Sequence, residues 1–358
     1  MNHLPWPGAS YSVRAMNKHT PPFPSPSRIM ELASAFYGSS TLFAASDANV
    51  FGVLDARGAA DAAALCEACG FEPRAGRLLL DACVALGLLA KDGGRYRNAP
   101  EAAAFLVPGK PGDLSGAIRY NRDVYAAWGR LPRFAATGEP AERPELHLGD
   151  DPARTRAFVM AMHGRALGIG RAVIPQIDLA GCRRVLDIGG GSGAYSVLAA
   201  QQNPHIEQCT VIDLPPVAAI ADELIAEAGM SDRVRTLPGS YHDTPFPAGQ
   251  DAVLFLGVLH QEAPDAIRGL LRRAADALAP GGRVVVMDMM TDATRAAPPF
   301  SALFALNMAL TARDGWVFSD EDLRGWLDEA GFEAPAIAPL PPPMPHWLAT
   351  AAKPGDTA

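Results

Sequence analysis

The residues best placed to do chemistry in this 358-residue sequence lie in RRVLDIGGGSGAYSVLAAQQ, Arg183 to Gln202. An apolar strand pattern runs into a glycine turn and then into a helical pattern. Glycine lets backbone approach a ligand closely, and a helix N-terminus offers unpaired N–H groups. About 25 residues further on, EQCTVID ends at Asp213. A carboxylate at the tip of a second parallel strand can take both hydroxyls of a ribose. The pair therefore reads as a nucleoside pocket. Gly189, Gly191 and Ala194 also satisfy the dinucleotide pattern GxGxxG/A, which keeps nicotinamide and flavin cofactors as rivals. Asp187 separates the two readings. A carboxylate just before the glycines repels a pyrophosphate but attracts the ammonium end of S-adenosylmethionine. The expected cofactor is S-adenosyl-L-methionine.

A second group of polar and aromatic residues lies upstream. SGAIRYNRDVYAAWGRL carries Arg119, Tyr120, Arg122, Tyr125 and Trp128, and FVMAMHGR carries Met162, His163 and Arg165. The mixture could receive a carboxylate or a polar ring of a small acceptor. An amphipathic helix with its charges in solvent gives the same pattern. Met160, Met162 and Met308 serve as core filler as readily as pocket lining.

The elements that must position these groups follow from periodicity. Residues 1–28, rich in Pro and polar residues, read as a flexible arm. Residues 29–111 show apolar residues at three- and four-residue spacing, then a helix–turn–helix and a polar wing, KDGGRYRNAP. This is a winged-helix outline. Its second helix, EPRAGRLLLDACVALGLLA, offers a DNA groove only Arg74 and Arg77, and its apolar surface fits burial against a second copy better. Residues 112–178 read as a helical linker that contributes to the substrate pocket. Residues 179–358 alternate strands (RRVLDI, EQCTVID, RVRTLP, DAVLFL, GRVVVMD, APAIAPL, HWLATAAK) with helices, as in a mostly parallel Rossmann-like sheet covered on both faces.

A formal net charge of −8 argues against nucleic acid and anionic membranes as partners. No apolar run reads as a bilayer span, and a cytoplasmic location is expected. Five cysteines do not look like a disulfide framework. Cys66 and Cys69 form a CxxC on a helical pattern with no second ligand pair, so no metal is expected.

VLDIGGGSGAYS, VIDLPPV, FLGVLHQEAPDAIRGLLRRAADALAPGGRVVVMD and DEDLRGWLDEAGF together resemble the class I S-adenosylmethionine-dependent O-methyltransferases of plant phenolics and their bacterial hydroxyindole- and polyketide-type relatives. The resemblance spans nearly the whole chain after the arm and implies a homodimer through the winged-helix domain. It implies that Gly189, Gly190 and Gly191 line the methionine portion, that Leu214 borders the adenine, and that Ser240 and Tyr241 lie near it. Ser240 departs from the family's usual Asp. His260 aligns with the catalytic base and Asp288 with the acid that orients it. A second orienting Glu falls at or near Val317, and the usual HDW reads His260-Gln261-Glu262. Met162 and Met308 match methionines that sandwich the acceptor.

Methyl transfer from a sulfonium requires an aligned acceptor and exclusion of water. A hydroxyl acceptor must also lose a proton, and a histidine is suited to take it at neutral pH. The expected activity is methylation of a small-molecule hydroxyl with His260 as base. A thioether or amine acceptor, which needs no base, and a winged-helix ligand sensor are the alternatives.

Overall fold

The computed structural model describes residues 24–110, 112–141, 148–342 and 344–355. Most of the expected arm lies outside these residues. The chain divides into two compact units between Arg122 and Asp123, past the boundary expected at residue 111.

The first unit contains α1 (Ser27–Ser34), α2 (Phe36–Asp47), α3 (Val50–Arg57), β1 (Ala60–Asp61), α4 (Ala62–Cys69), α5 (Pro73–Ala85), β2 (Leu89–Asp92), β3 (Arg95–Asn98) and α6 (Pro100–Phe105). Asp61 caps α4 by accepting from Ala64 N, and Glu72 caps α5 by accepting from Arg74 N and Ala75 N. These caps satisfy amides that a helix start leaves unpaired. Gly93 and Gly94, at φ +53° and +80°, make the tight turn of the β2–β3 hairpin, and the three strands pair in the order β1-β3-β2. The wing read from KDGGRYRNAP is this hairpin. α5 buries Leu80 and Cys83 in a core with Phe51, Leu54, Leu65 and Tyr96, and leaves Leu78 and Leu86 exposed. Cys66 and Cys69 are free thiols in α4.

Helix α7 (Ser115–Trp128) crosses the division. The second unit continues with α8 (Leu131–Thr137), α9 (Pro152–Val173), β4 (Arg184–Ile188), α10 (Ala194–Gln202), β5 (Gln208–Asp213), α11 (Pro215–Glu227), β6 (Val234–Pro238) and β7 (Gln250–Leu256). It ends with α12 (Pro264–Ala277), β8 (Leu278–Asp288), α13 (Pro299–Thr311), α14 (Asp320–Glu329), β9 (Glu333–Pro339) and β10 (Trp347–Ala352). The sheet order is β6-β5-β4-β7-β8-β10-β9, and β10 alone runs antiparallel to its neighbours. The seven strands read from sequence are these seven. Strand order reverses at β4, with β5 on one side and β7 on the other, which opens a crevice above the strand ends. Apolar clusters cover both faces: Val185, Val211, Leu254, Val285 and Met287 on one, Leu186, Ile212, Phe255, Val284 and Val286 on the other. The expectation that no segment has the length and apolarity of a span is corrected for one helix among the described residues, the 25-residue Pro152–Gln176, in which an 18-residue stretch reaches a mean hydropathy of 1.2. Part of this segment, Ala166, Leu167 and Ile169, packs against the first of the two clusters.

Candidate active site

β4 delivers Asp187 and the glycine turn to the crevice. Gly189, Gly191 and Gly193 have φ of +64°, +57° and +71°, a conformation that other residues enter only with strain. A Cβ on Gly189 would sit 2.6 Å from Val258 Cγ2, and one on Gly190 would sit 2.7 Å from the Asp187 carboxyl. Asp187 is fully buried beneath that turn. Its Oδ2 accepts a hydrogen bond from Ser196 Oγ at 2.8 Å, while Oδ1 has no partner among the described residues. Burial pushes the Asp187 pKa up to about 7, against the Ser196 hydrogen bond and with a further push from Asp213. A buried carboxylate oxygen without a donor, under a turn whose glycines carry no side chains of their own, fits a ligand that brings a positive charge.

Asp213 ends β5 with both oxygens oriented by backbone: Oδ2 accepts from Gly191 N at 2.8 Å and Oδ1 from Leu214 N at 2.7 Å. Burial raises its pKa and these two N–H groups oppose the rise. Each oxygen keeps a lone pair that could accept a ribose hydroxyl. Leu214 is the N-cap residue of α11 and packs beside Val217. Tyr241 flanks Gly189, and its hydroxyl donates to Glu262 Oε1 at 2.6 Å. Burial raises the Tyr241 pKa. Ser240 Oγ accepts from His242 N at 3.2 Å and so supports the turn that carries Tyr241. Together these groups make a cradle that fits S-adenosylmethionine.

His260 follows β7 in a short helical turn, Leu259–Gln261, and Asp288 ends β8. Adjacent parallel strands bring the two together. His260 Nδ1 lies 2.6 Å from Asp288 Oδ1, and His260 N donates to Asp288 Oδ2 at 3.1 Å. Asp288 is 1% exposed, so its charge acts in a poorly solvated setting. With Nδ1–H donating to the carboxylate, Nε2 keeps its lone pair. Val317, where a second acid was expected, is buried and contributes no polar group. Its neighbour Trp316 donates its backbone N–H to His260 O at 2.9 Å.

The other expected residues separate. His163 pairs its Nδ1 with Ser192 Oγ at 3.0 Å, which puts it at the glycine turn. Burial lowers its pKa. Trp128 Nε1 donates to Asn307 Oδ1 at 2.9 Å and so ties α7 to α13. Met308 is buried on α13, Met162 is half-buried on α9, and Tyr125 is exposed on α7. Arg122 pairs with Asp47 at 2.8 Å within the first unit. Sequence reasoning missed Phe304, whose ring meets His260 edge-on at 5.4 Å, with Phe300 stacked behind it at 6.2 Å. Their four-residue spacing on α13 was the available signal. It also missed Glu262, which receives Tyr241 and lies 3.2 Å from His242 Nε2.

Residues 142–333 match the O-methyltransferase domain family and residues 30–108 match the O-methyltransferase dimerisation domain. The chain is 35% identical over 317 residues to the 3-hydroxy-5-methyl-1-naphthoate 3-O-methyltransferase of Streptomyces sahachiroi, covering 87% of this chain and 91% of that one. It is 35% identical over 324 residues to the acetylserotonin O-methyltransferase of Mus musculus, covering 85% and 83%. The structure of human N-acetylserotonin methyltransferase in complex with S-adenosylmethionine superposes with a TM-score of 0.83 at 26% identity, covering 94% of this chain and 100% of that chain. The glycine turn over a buried Asp187, Asp213 at the end of β5 and the His260–Asp288 pair thus sit in a chain that belongs to the S-adenosylmethionine-dependent O-methyltransferases, with the family's dimerisation domain ahead of its transferase domain.

Proposed function

We propose that this enzyme methylates a hydroxyl of a small aromatic molecule, with His260 as general base. The hydrogen bond between His260 Nδ1 and Asp288 Oδ1 carries this reading. S-adenosylmethionine, when bound, supplies an electrophilic methyl group on a sulfonium. Asp187 and Asp213 anchor the charged and ribose ends of that cofactor, and the glycine turn admits it without a side-chain clash. Asp288 fixes the tautomer of His260 and stabilises the imidazolium that forms when Nε2 takes the hydroxyl proton. Phe304 and Phe300 supply an apolar wall beside the imidazole that suits an aromatic ring and helps exclude water.

The enzyme works as a homodimer in this proposal. The dimerisation domain leaves Ile29, Met30 and Leu32 on α1 and Leu78 on α5 in solvent, a larger apolar surface than a lone small domain ordinarily shows.

The test is turnover of a phenol panel with product mass detection, for wild type beside His260→Ala. An O-methyl product that depends on His260 supports the reading. An alanine variant with nearly full activity on the same acceptor refutes it.

A further inference from the structure

Two polar side chains that act electrostatically on one another near His260, Arg165 and His346, have nitrogen atoms without a partner among the described residues. Antiparallel pairing sets Trp347 opposite Asp288, so His346 lies one step further on, beside the C-terminal end of β8. Side chains alternate along a strand, so His346 shares a face with Leu348, which packs in the cluster that Ala166, Leu167 and Ile169 of α9 also join. Arg165 stands next to these residues on α9. The backbone of His346 is fixed by Leu340 N–H donating to its carbonyl at 2.8 Å. Its ring is 6% exposed, and Nδ1 is buried with no partner among the described residues. Burial, with Arg165 and His260 adding and Asp288 opposing, holds its pKa down at about 4, so it is a neutral imidazole that donates from one nitrogen. Arg165 is half-buried, and its side chain makes no hydrogen bond or ion pair among the described residues. Arginine is a permanent cation, and a partly desolvated one without a counter-charge is costly.

We propose that Arg165 and His346 form a carboxylate-binding subsite and that the acceptor is therefore an aromatic hydroxy acid. The proposal rests on the hydroxyl-transfer reading above and adds the substrate class. A carboxylate matches the fork of a guanidinium and can accept an imidazole N–H beside it. Asp288 does not fill this role, because its oxygens are engaged by His260 and Met289. His346 is not placed to take the carboxylate of the cofactor. The glycine turn follows β4, three strands from β10, and strands spaced roughly 4.8 Å apart put His346 about 14 Å along the sheet from that turn.

The experiment uses the full chain with S-adenosylmethionine and matched pairs of aromatic hydroxy acids and their methyl esters. Wild type should favour the acids by about 10–100-fold in kcat/KM, the range of a charge-assisted hydrogen-bond pair. Arg165→Met should bring the acid-to-ester ratio close to one, and His346→Asn should lower it less than His346→Leu. Calorimetry of the acid into the S-adenosylhomocysteine complex should show the same loss without turnover. Equal rates for acid and ester in wild type overturn the proposal. So does an unchanged ratio in Arg165→Met, or a loss of S-adenosylhomocysteine affinity with the ratio intact. If neither acid nor ester is methylated on oxygen, the hydroxyl-transfer reading itself fails and takes this one with it.

Discussion

Asp187→Asn should make the cofactor-free protein more resistant to alkaline conditions while weakening the cofactor it binds. The carboxyl is fully buried, and burial moves its pKa from 3.8 to about 7. Between those values the folded protein keeps the proton and the unfolded chain has lost it. The stability this group contributes is therefore fully present below 3.8 and is lost as pH rises through about 7. From pH 5 to pH 8 the loss amounts to two pH units at about 1.4 kcal/mol each, or about 3 kcal/mol. Asparagine has nearly the same shape and no charge to desolvate. Equilibrium urea unfolding of wild type and variant, in identical buffers from pH 5 to 8, isolates this contribution because other groups titrate alike in both. The variant should gain about 3 kcal/mol on wild type across that range. Cofactor affinity should move the other way. A cationic ligand favours the ionised carboxylate, so wild-type affinity should rise with pH towards 7, and the asparagine variant should lose both the rise and much of the affinity. Stability curves that stay parallel with pH would refute the argument that a buried, uncompensated carboxyl waits under the turn.

Other outcomes follow from the same geometry. His260→Ala should lower turnover by about two to four orders of magnitude with S-adenosylhomocysteine affinity retained, and Asp288→Asn should lower it less, as single-turnover rates would show. Gly189→Ala should cost roughly 1–3 kcal/mol, from the left-handed φ and the approach to Val258, and should abolish cofactor binding by calorimetry. Leu78→Glu with Leu32→Glu should convert a dimer to a monomer in light scattering, and a wild-type chain that is already monomeric would remove the basis for that expectation.

The catalytic sheet was legible in the sequence because its strands are short apolar runs closed by residues that end them, such as Asp213 at the end of β5 and Asp288 at the end of β8. Buried parallel strands must be apolar on both faces, so the signal is strong and local. The glycine turn was legible because its backbone conformation is written in residue type. The site residues fared less evenly, because side-chain partners are set by contacts distant in sequence. Arg122 meets Asp47, 75 residues away, and His163 meets Ser192 across 29 residues. Neither distance leaves a trace in spacing. His346 sat unmarked in HWLATAAK because only the antiparallel register of β10 against β8 brings it to Asp288.

The absence of an acid at Val317 carries less weight once the restraints on His260 are counted. Its ring is held by Asp288 Oδ1, its amide by Asp288 Oδ2, and its carbonyl by the Trp316 amide. Asp288 in turn accepts from Met289 N at 2.8 Å, which keeps the carboxylate in place. One acid thus fixes both the ring and the backbone of His260, the proposed base, and the segment containing Val317 adds its restraint through main chain. A second carboxylate would raise the basicity of the imidazole further, but orientation does not require it. The chain has given up some electrostatic assistance and kept the geometry, so the activity most sensitive to the loss is transfer to a weakly acidic alcohol. In the proposed reaction a phenol, whose proton leaves more readily, asks less of His260 and is the acceptor chemistry this arrangement would serve best.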